Sequence, residues 1–89
     1  MIKSKAIIQN KLGLHARASA KFILTTSKFQ SQIDVIKGAH TVNGKSIMGV
    51  MMLSANKGTE LMLHIDGPDE EDMEKAVLEL INNRFGEEE

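Results

Sequence analysis

The stretch Glu60–Phe85, ELMLHIDGPDEEDMEKAVLELINNRF, contains the two periodicities that decide the fold of this 89-residue chain. Residues 60–66 alternate, so that Leu61, Leu63 and Ile65 fall on one side and polar residues mostly on the other. A period of two is typical of a strand with one buried face. After it, apolar residues recur at i, i+3, i+4, i+7 and i+8, which predicts a helix with one buried face: Met73, Ala76, Val77, Leu80 and Ile81.

Turn residues mark both ends of this helix. Gly67-Pro68-Asp69 precedes it, and the acidic residues 69–72 suit the positive end of a helix dipole. Gly86, after Phe85, is a plausible stop. We expect the last three residues, Glu87–Glu89, to be frayed and solvated.

The region before residue 60 contains further elements of the same kinds. Residues 2–9 alternate like a strand, and the apolar positions Ala16, Ala20, Ile23 and Leu24 predict a helix from Ala16 to about Ser27. Residues 32–37 and 40–43 flank Gly38-Ala39, which predicts a hairpin.

Ser46 opens a short apolar stretch, IMGVMML, and is a good helix N-cap. We expect Val50 and Leu53 to enter the core, because so short a helix cannot bury all its apolar side chains. Ile47, Met48 and Met51 then remain as an exposed patch adaptable enough to dock a partner, although plain core packing is the alternative. The order β-α-β-β-α-β-α predicts one α+β domain over residues 1–89, an antiparallel sheet with helices on one face.

Composition excludes several classes of protein. Eleven basic residues against twelve acidic ones leave a net charge of -1, and the chain has no Trp, Tyr or Cys. We therefore expect no nucleic-acid partner, no disulfide framework and no thiolate metal site. No apolar run could span a bilayer, and no signal-peptide pattern is present, so we expect a cytoplasmic protein without membrane insertion. His40 and His64 lack partners at ligand spacing, and we expect no metal or cofactor.

The segment Gly13-Leu14-His15-Ala16-Arg17 is the strongest candidate for chemistry. The first turn of a helix has unpaired N–H groups and a partial positive charge, so with Arg17 it could hold an anion. A neutral imidazole is a competent nucleophile toward phosphorus near pH 7. His15 is therefore a candidate phosphoryl carrier, although by position alone it could be an ordinary surface or capping residue.

Ser46 is a second candidate, for phosphorylation, because a phosphate at a helix start adds charge without unfolding the helix. Its simpler role is the N-cap alone. A nucleotide-binding P-loop is excluded, since Ala39 stands where the leading glycine of that motif would be.

With GLHAR at residues 13–17 and KSIMGVM at residues 45–51, the chain closely resembles HPr, the histidine-containing phosphocarrier family of the bacterial phosphoenolpyruvate-dependent sugar phosphotransferase system. The resemblance covers essentially the whole length. It implies an open-faced β-sandwich, a four-stranded antiparallel sheet covered by three helices. It also implies a carrier, expected to be a monomer, rather than an independent enzyme.

The resemblance further implies a role for each motif residue. His15 would accept a phosphoryl group at Nδ1 from phosphorylated enzyme I and pass it to the IIA domains of enzymes II. Arg17 would stabilise the transferring group. Ser46 would be the target of an HPr kinase/phosphorylase where one exists, and Ile47, Met48 and Met51 would dock partners.

Ala18 departs from the family motif, which usually has proline after the arginine. We expect a small effect, about 0.5 kcal/mol, from the greater entropy of the unfolded chain. Two other functions stay open: a carrier of the nitrogen-related regulatory phosphotransferase branch, and an interaction domain without covalent chemistry.

Overall fold

A computed structural model describes all residues from 1 to 89. Its elements follow the predicted order: β1 (Ile2–Ile7), α1 (Ala16–Thr26), β2 (Gln32–Lys37), β3 (His40–Asn43), α2 (Ile47–Met52), β4 (Glu60–Asp66) and α3 (Glu70–Asn82), followed by a 3-10 turn over Arg84–Gly86. None of the helices has the length and apolar character that crossing a membrane requires.

The four strands form one antiparallel sheet in the order β1-β4-β2-β3. The central strand β4 pairs with β1 and β2, and its Leu61, Leu63 and Ile65 are fully buried, as their alternation predicts. The helices pack on that side, where 17 apolar residues form the core. The opposite side of the sheet is left uncovered by helices, so the predicted α+β, open-faced arrangement is confirmed.

Helix α1 buries a different face from the one that its apolar residues predict. Ala16 and Leu24 are exposed, Leu24 by 68%, while the buried residues are Ala18, Ser19, Phe22 and Thr26. Ser19 and Thr26 can be buried because their hydroxyls donate to the carbonyls of Leu14 and Gly44, at 3.1 and 2.8 Å. The apolar pattern of the sequence does not predict this buried face, because two of its members are polar residues whose hydroxyls form hydrogen bonds.

The chain leaves α3 earlier than Gly86 suggests. Helix α3 ends at Asn82, and Phe85 adopts a left-handed conformation with φ 54° while its side chain is fully buried. Burial of this large ring compensates for a conformation that is unfavourable for a residue with a side chain. The following residues are thereby directed toward the start of α1.

Candidate functional site

His15 is the N-cap of α1, with extended backbone angles of φ -72° and ψ 179°. The loop before it is fixed against the segment after α2. Gly13 has φ +68°, and a Cβ on it would lie 2.2 Å from the carbonyl oxygen of Ala55. The N–H of Leu14 donates to that same oxygen at 2.8 Å. His15 is therefore presented by a loop whose backbone is held in place.

The first turn of α1 has free hydrogen-bond donors. The N–H groups of Ala16, Arg17 and Ala18 have no acceptor within the chain, and the first backbone bond into the helix is from Ser19 to the carbonyl of His15. Unpaired amides at a helix start attract anions, and the helix dipole adds to this attraction. The unpaired donors that the sequence predicts beside His15 are present.

His15 and Arg17 line the same open depression, which has a volume of about 860 Å³. The basic residues Lys11 and Lys21 line it as well, together with the acidic residues Glu87, Glu88 and Glu89. Arg17 is exposed and makes no ion pair or hydrogen bond within the chain, so its guanidinium is available to an incoming phosphate. The structure thus brings together the two residues that the GLHAR motif singles out.

Glu87 also belongs to this site, which corrects, for this residue, the expectation that residues 87–89 are frayed and solvated. Glu88 and Glu89 are exposed, as expected. The side chain of Glu87 is only 15% exposed, and its Oε2 lies 2.5 Å from His15 Nε2. Its other oxygen, Oε1, accepts a hydrogen bond from Asn10 Nδ2 at 3.0 Å. The backbone N–H of Lys11 donates a hydrogen bond to the carbonyl of Glu89 at 2.9 Å, so the backbone at the end of this segment is also held in place.

The environment of Glu87 favours its ionised form. Burial alone would raise the pKa of this carboxyl group, but hydrogen bonds from Asn10 and His15 and the nearby charges of His15 and Lys21 outweigh it. The pKa of Glu87 is therefore lowered from its ordinary value, and the group is a carboxylate at neutral pH.

Nothing in the sequence pattern identifies Glu87 or Asn10 as members of the site. An acidic run after a terminal glycine is typical of a solvated end, and Asn10 looks like an ordinary loop residue. Their contact depends on the left-handed turn at Phe85, which reverses the chain toward α1. Within the sequence, only the apolar Phe85 after α3 indicates that residues 87–89 are anchored to the core.

Ser46 lies outside the depression that contains His15. It is the N-cap of α2, as predicted, and its Oγ accepts a hydrogen bond from the N–H of Gly49 at 3.1 Å. Ile47, Met48 and Met51 on this helix are exposed by 40, 71 and 40%, while Val50 and Leu53 are buried, so the predicted division of α2 is confirmed. No group of three His, Cys, Asp or Glu side chains in residues 1–89 is close enough to hold a metal ion.

Comparisons with known proteins agree with this fold. The sequence model of the PTS-HPr family, described as the PTS HPr component phosphorylation site, matches residues 2–83. The phosphocarrier protein HPr of Neisseria meningitidis serogroup A is 55% identical over 87 residues, which is 98% of each chain. A crystal structure of HPr from Thermoanaerobacter tengcongensis covers 100% of both chains with a TM-score of 0.96 at 48% identity. A crystal structure of an HPr dimer from the same organism has a TM-score of 0.78 at 48% identity and covers 98% of this chain and 100% of that one.

Proposed function

The chain belongs to the HPr family of phosphocarrier proteins of the phosphotransferase system, and we propose that His15 is the residue that carries its phosphoryl group. In this proposal His15 accepts the group at Nδ1 from phosphorylated enzyme I and passes it to IIA domains of enzymes II. The observation that carries the proposal is one cluster: His15 at the helix start, three unpaired amides, and an unpaired Arg17 in the same depression.

Each part of the cluster has a chemical role in the transfer. The imidazole supplies the electron pair that forms the bond to phosphorus. The charge on the transferring group develops on its oxygens, and donors already in place around them stabilise it without reorganisation. Arg17 can offer two parallel N–H groups to these oxygens, while the amides of α1 add neutral donors. The depression is open, so another protein can reach the phosphorus from outside.

Labelling with enzyme I and phosphoenolpyruvate tests this proposal. The wild type should acquire acid-labile phosphate, and His15→Ala should acquire none. His40→Ala is a matched control, since His40 is exposed on β3, does not line the depression that contains His15 and should be dispensable. Arg17→Ala should slow labelling by about 100-fold, the usual cost of removing one donor to a developing oxyanion. Absence of label on the wild type with an active enzyme I refutes the proposal.

The exposed patch on α2, formed by Ile47, Met48 and Met51, is proposed to dock enzyme I and IIA domains. Its side chains are apolar, flexible and largely solvent-exposed, and such surfaces are typical of interaction sites. Ile47→Ala should raise the concentration of enzyme I needed for half-maximal transfer. Ile7→Ala is the matched control, because Ile7 is 43% exposed but lies on the uncovered side of the sheet. Equal effects of the two substitutions would contradict the assignment.

Ser46 is proposed as a regulatory phosphorylation site for an HPr kinase/phosphorylase. The residue is exposed and stands directly before the docking patch, so a phosphate there adds negative charge to the surface that meets partners. Acid-stable phosphate should form with ATP and the kinase, and Ser46→Ala should abolish it, while Ser27→Ala, also exposed, should not. Ser46→Asp should slow transfer to His15, and an unchanged rate would count against this account.

The branch of the phosphotransferase system and the oligomeric state of the carrier can also be tested. We propose the sugar branch of the phosphotransferase system, in the cytoplasm, and transfer with enzyme I from each branch tests it against the nitrogen-related alternative. We also propose a monomer, whereas one relative was crystallised as a dimer. Light scattering at working concentration distinguishes the two states.

A further inference from the structure

The contact between His15 and Glu87 restricts which nitrogen of the imidazole bears a proton. An ionised carboxylate can only accept hydrogen bonds, so at 2.5 Å the facing Nε2 of His15 must be the donor. In a neutral imidazole only one ring nitrogen bears hydrogen. With the proton on Nε2, the lone pair is on Nδ1, which has no hydrogen-bond partner within the chain.

Glu87 is held by Asn10, and the segment before it is anchored at Phe85. Asn10 Nδ2 binds its second oxygen and also donates to the carbonyl of Gly13 at 2.8 Å, in the loop that presents His15. Two residues before Glu87, the ring of Phe85 is fully buried, and the carbonyl of Phe85 accepts a hydrogen bond from Lys21 Nζ at 2.7 Å. A carboxylate so anchored can fix the orientation of the imidazole, since its own side chain has little freedom to follow the ring.

We propose that Glu87 is a positioning residue for His15: its carboxylate accepts a hydrogen bond from Nε2–H and so directs the lone pair of Nδ1 toward the incoming phosphorus. This inference rests on the proposed function of His15. It assigns to the last residues of the chain a role in the transfer that their sequence does not suggest.

The transfer step balances without any movement of the Nε2 proton. The Nδ1 lone pair forms the bond to phosphorus, while the bond between phosphorus and the donor protein breaks and its electron pair stays with the donor. The ring then bears a positive charge, which faces the carboxylate of Glu87. In onward transfer the electrons of the nitrogen–phosphorus bond return to Nδ1, and the starting tautomer is restored.

NMR of the isotopically labelled protein tests the hydrogen bond independently of any phosphotransfer. The nitrogen chemical shifts of the neutral ring, recorded in alkaline solution, report its tautomer directly. We expect the wild type to show the Nε2–H form of His15 with a resolved, slowly exchanging Hε2 signal. In Glu87→Gln the Nδ1–H form should appear and the Hε2 signal should be lost, because an amide can donate as well as accept. Glu79→Gln is the matched control, since Glu79 is exposed on α3, lies outside the depression and its side chain makes no hydrogen bond or ion pair.

A second experiment measures the rate at which enzyme I phosphorylates the protein. Glu87→Gln should lower the maximal rate about 10-fold, the lower end of the cost of losing a partner that orients a functional histidine. The half-saturating concentration of enzyme I should not change, and Glu79→Gln should behave like the wild type. If His15 of the wild type is never phosphorylated, both the proposed function and this inference fail. If it is phosphorylated but Glu87→Gln keeps the wild-type spectrum and rate, this inference alone is overturned.

Discussion

Gly13→Ala should be the most damaging single-methyl addition near the site, and the reason is geometric. Gly13 has φ +68°, and the new Cβ would lie 2.2 Å from the carbonyl oxygen of Ala55 and 2.9 Å from the Cα of Asn56. Both neighbours are backbone atoms, so no flexible side chain can move aside. The left-handed conformation costs an alanine about 1–2 kcal/mol, and an overpacked contact adds about 1–3 kcal/mol.

The matched control is Gly38→Ala. Gly38 has φ +58°, but nothing lies within 4 Å of a Cβ built there. Its alanine variant therefore incurs only the conformational cost, so the difference between the two variants measures the clash. With an unfolding entropy of about 2 cal/mol/K per residue, a domain of this length loses about 5 °C of Tm per kcal/mol. We expect a decrease of about 15 °C for Gly13→Ala and about 5 °C for Gly38→Ala.

Thermal unfolding followed by circular dichroism gives both values, and labelling with enzyme I gives the consequence for function. The clash displaces the same carbonyl of Ala55 that accepts the N–H of Leu14, the residue before His15. Labelling of folded Gly13→Ala at low temperature should therefore slow, while Gly38→Ala should keep the wild-type rate. Equal Tm values for the two variants would refute the geometric argument, since the close approach of the two loops would then have no energetic consequence.

Three smaller perturbations test other contacts. Ser46→Ala removes the acceptor for the N–H of Gly49 and should cost about 1 kcal/mol in urea unfolding, whereas an unchanged midpoint would show that the cap is not needed. Asp69→Asn should lower Tm at pH 7, because the hydroxyl and N–H of Ser31 bind the carboxylate and lower its pKa. A carboxyl group whose pKa is lowered in the folded state stabilises the protein fully at pH values above its pKa in the unfolded chain, which is about 4. This stabilisation is lost as the pH falls through the pKa of the folded state. Because Asp69→Asn lacks this carboxyl group, its Tm should decline less steeply below pH 4. Ala18→Pro removes no hydrogen bond and should raise Tm by about 3 °C, because proline lowers the entropy of the unfolded chain. A lower Tm would instead mean that this fully buried position has no room for the proline ring.

Local patterns in the sequence account for most of the fold. Strand β4 and helix α3 follow from periods of two and 3.6, because burial on one side of an element depends on spacing alone. Ser46 and the Gly38-Ala39 turn follow from local hydrogen bonding and backbone freedom. The presence of His15 and Arg17 at the start of α1 is also a local matter, since both belong to the segment in which the helix begins.

Contacts between distant segments depend on the tertiary structure. The buried face of α1 includes Ser19 and Thr26, whose hydroxyls find acceptors only once Leu14 and Gly44 are in place. Glu87 reaches His15 across 72 positions because Phe85 is buried in a left-handed turn, a conformation that no local propensity favours. The sequence by itself determines a histidine at a helix start. Only the packed core brings a carboxylate to its Nε2, because that contact depends on the direction in which the chain leaves α3.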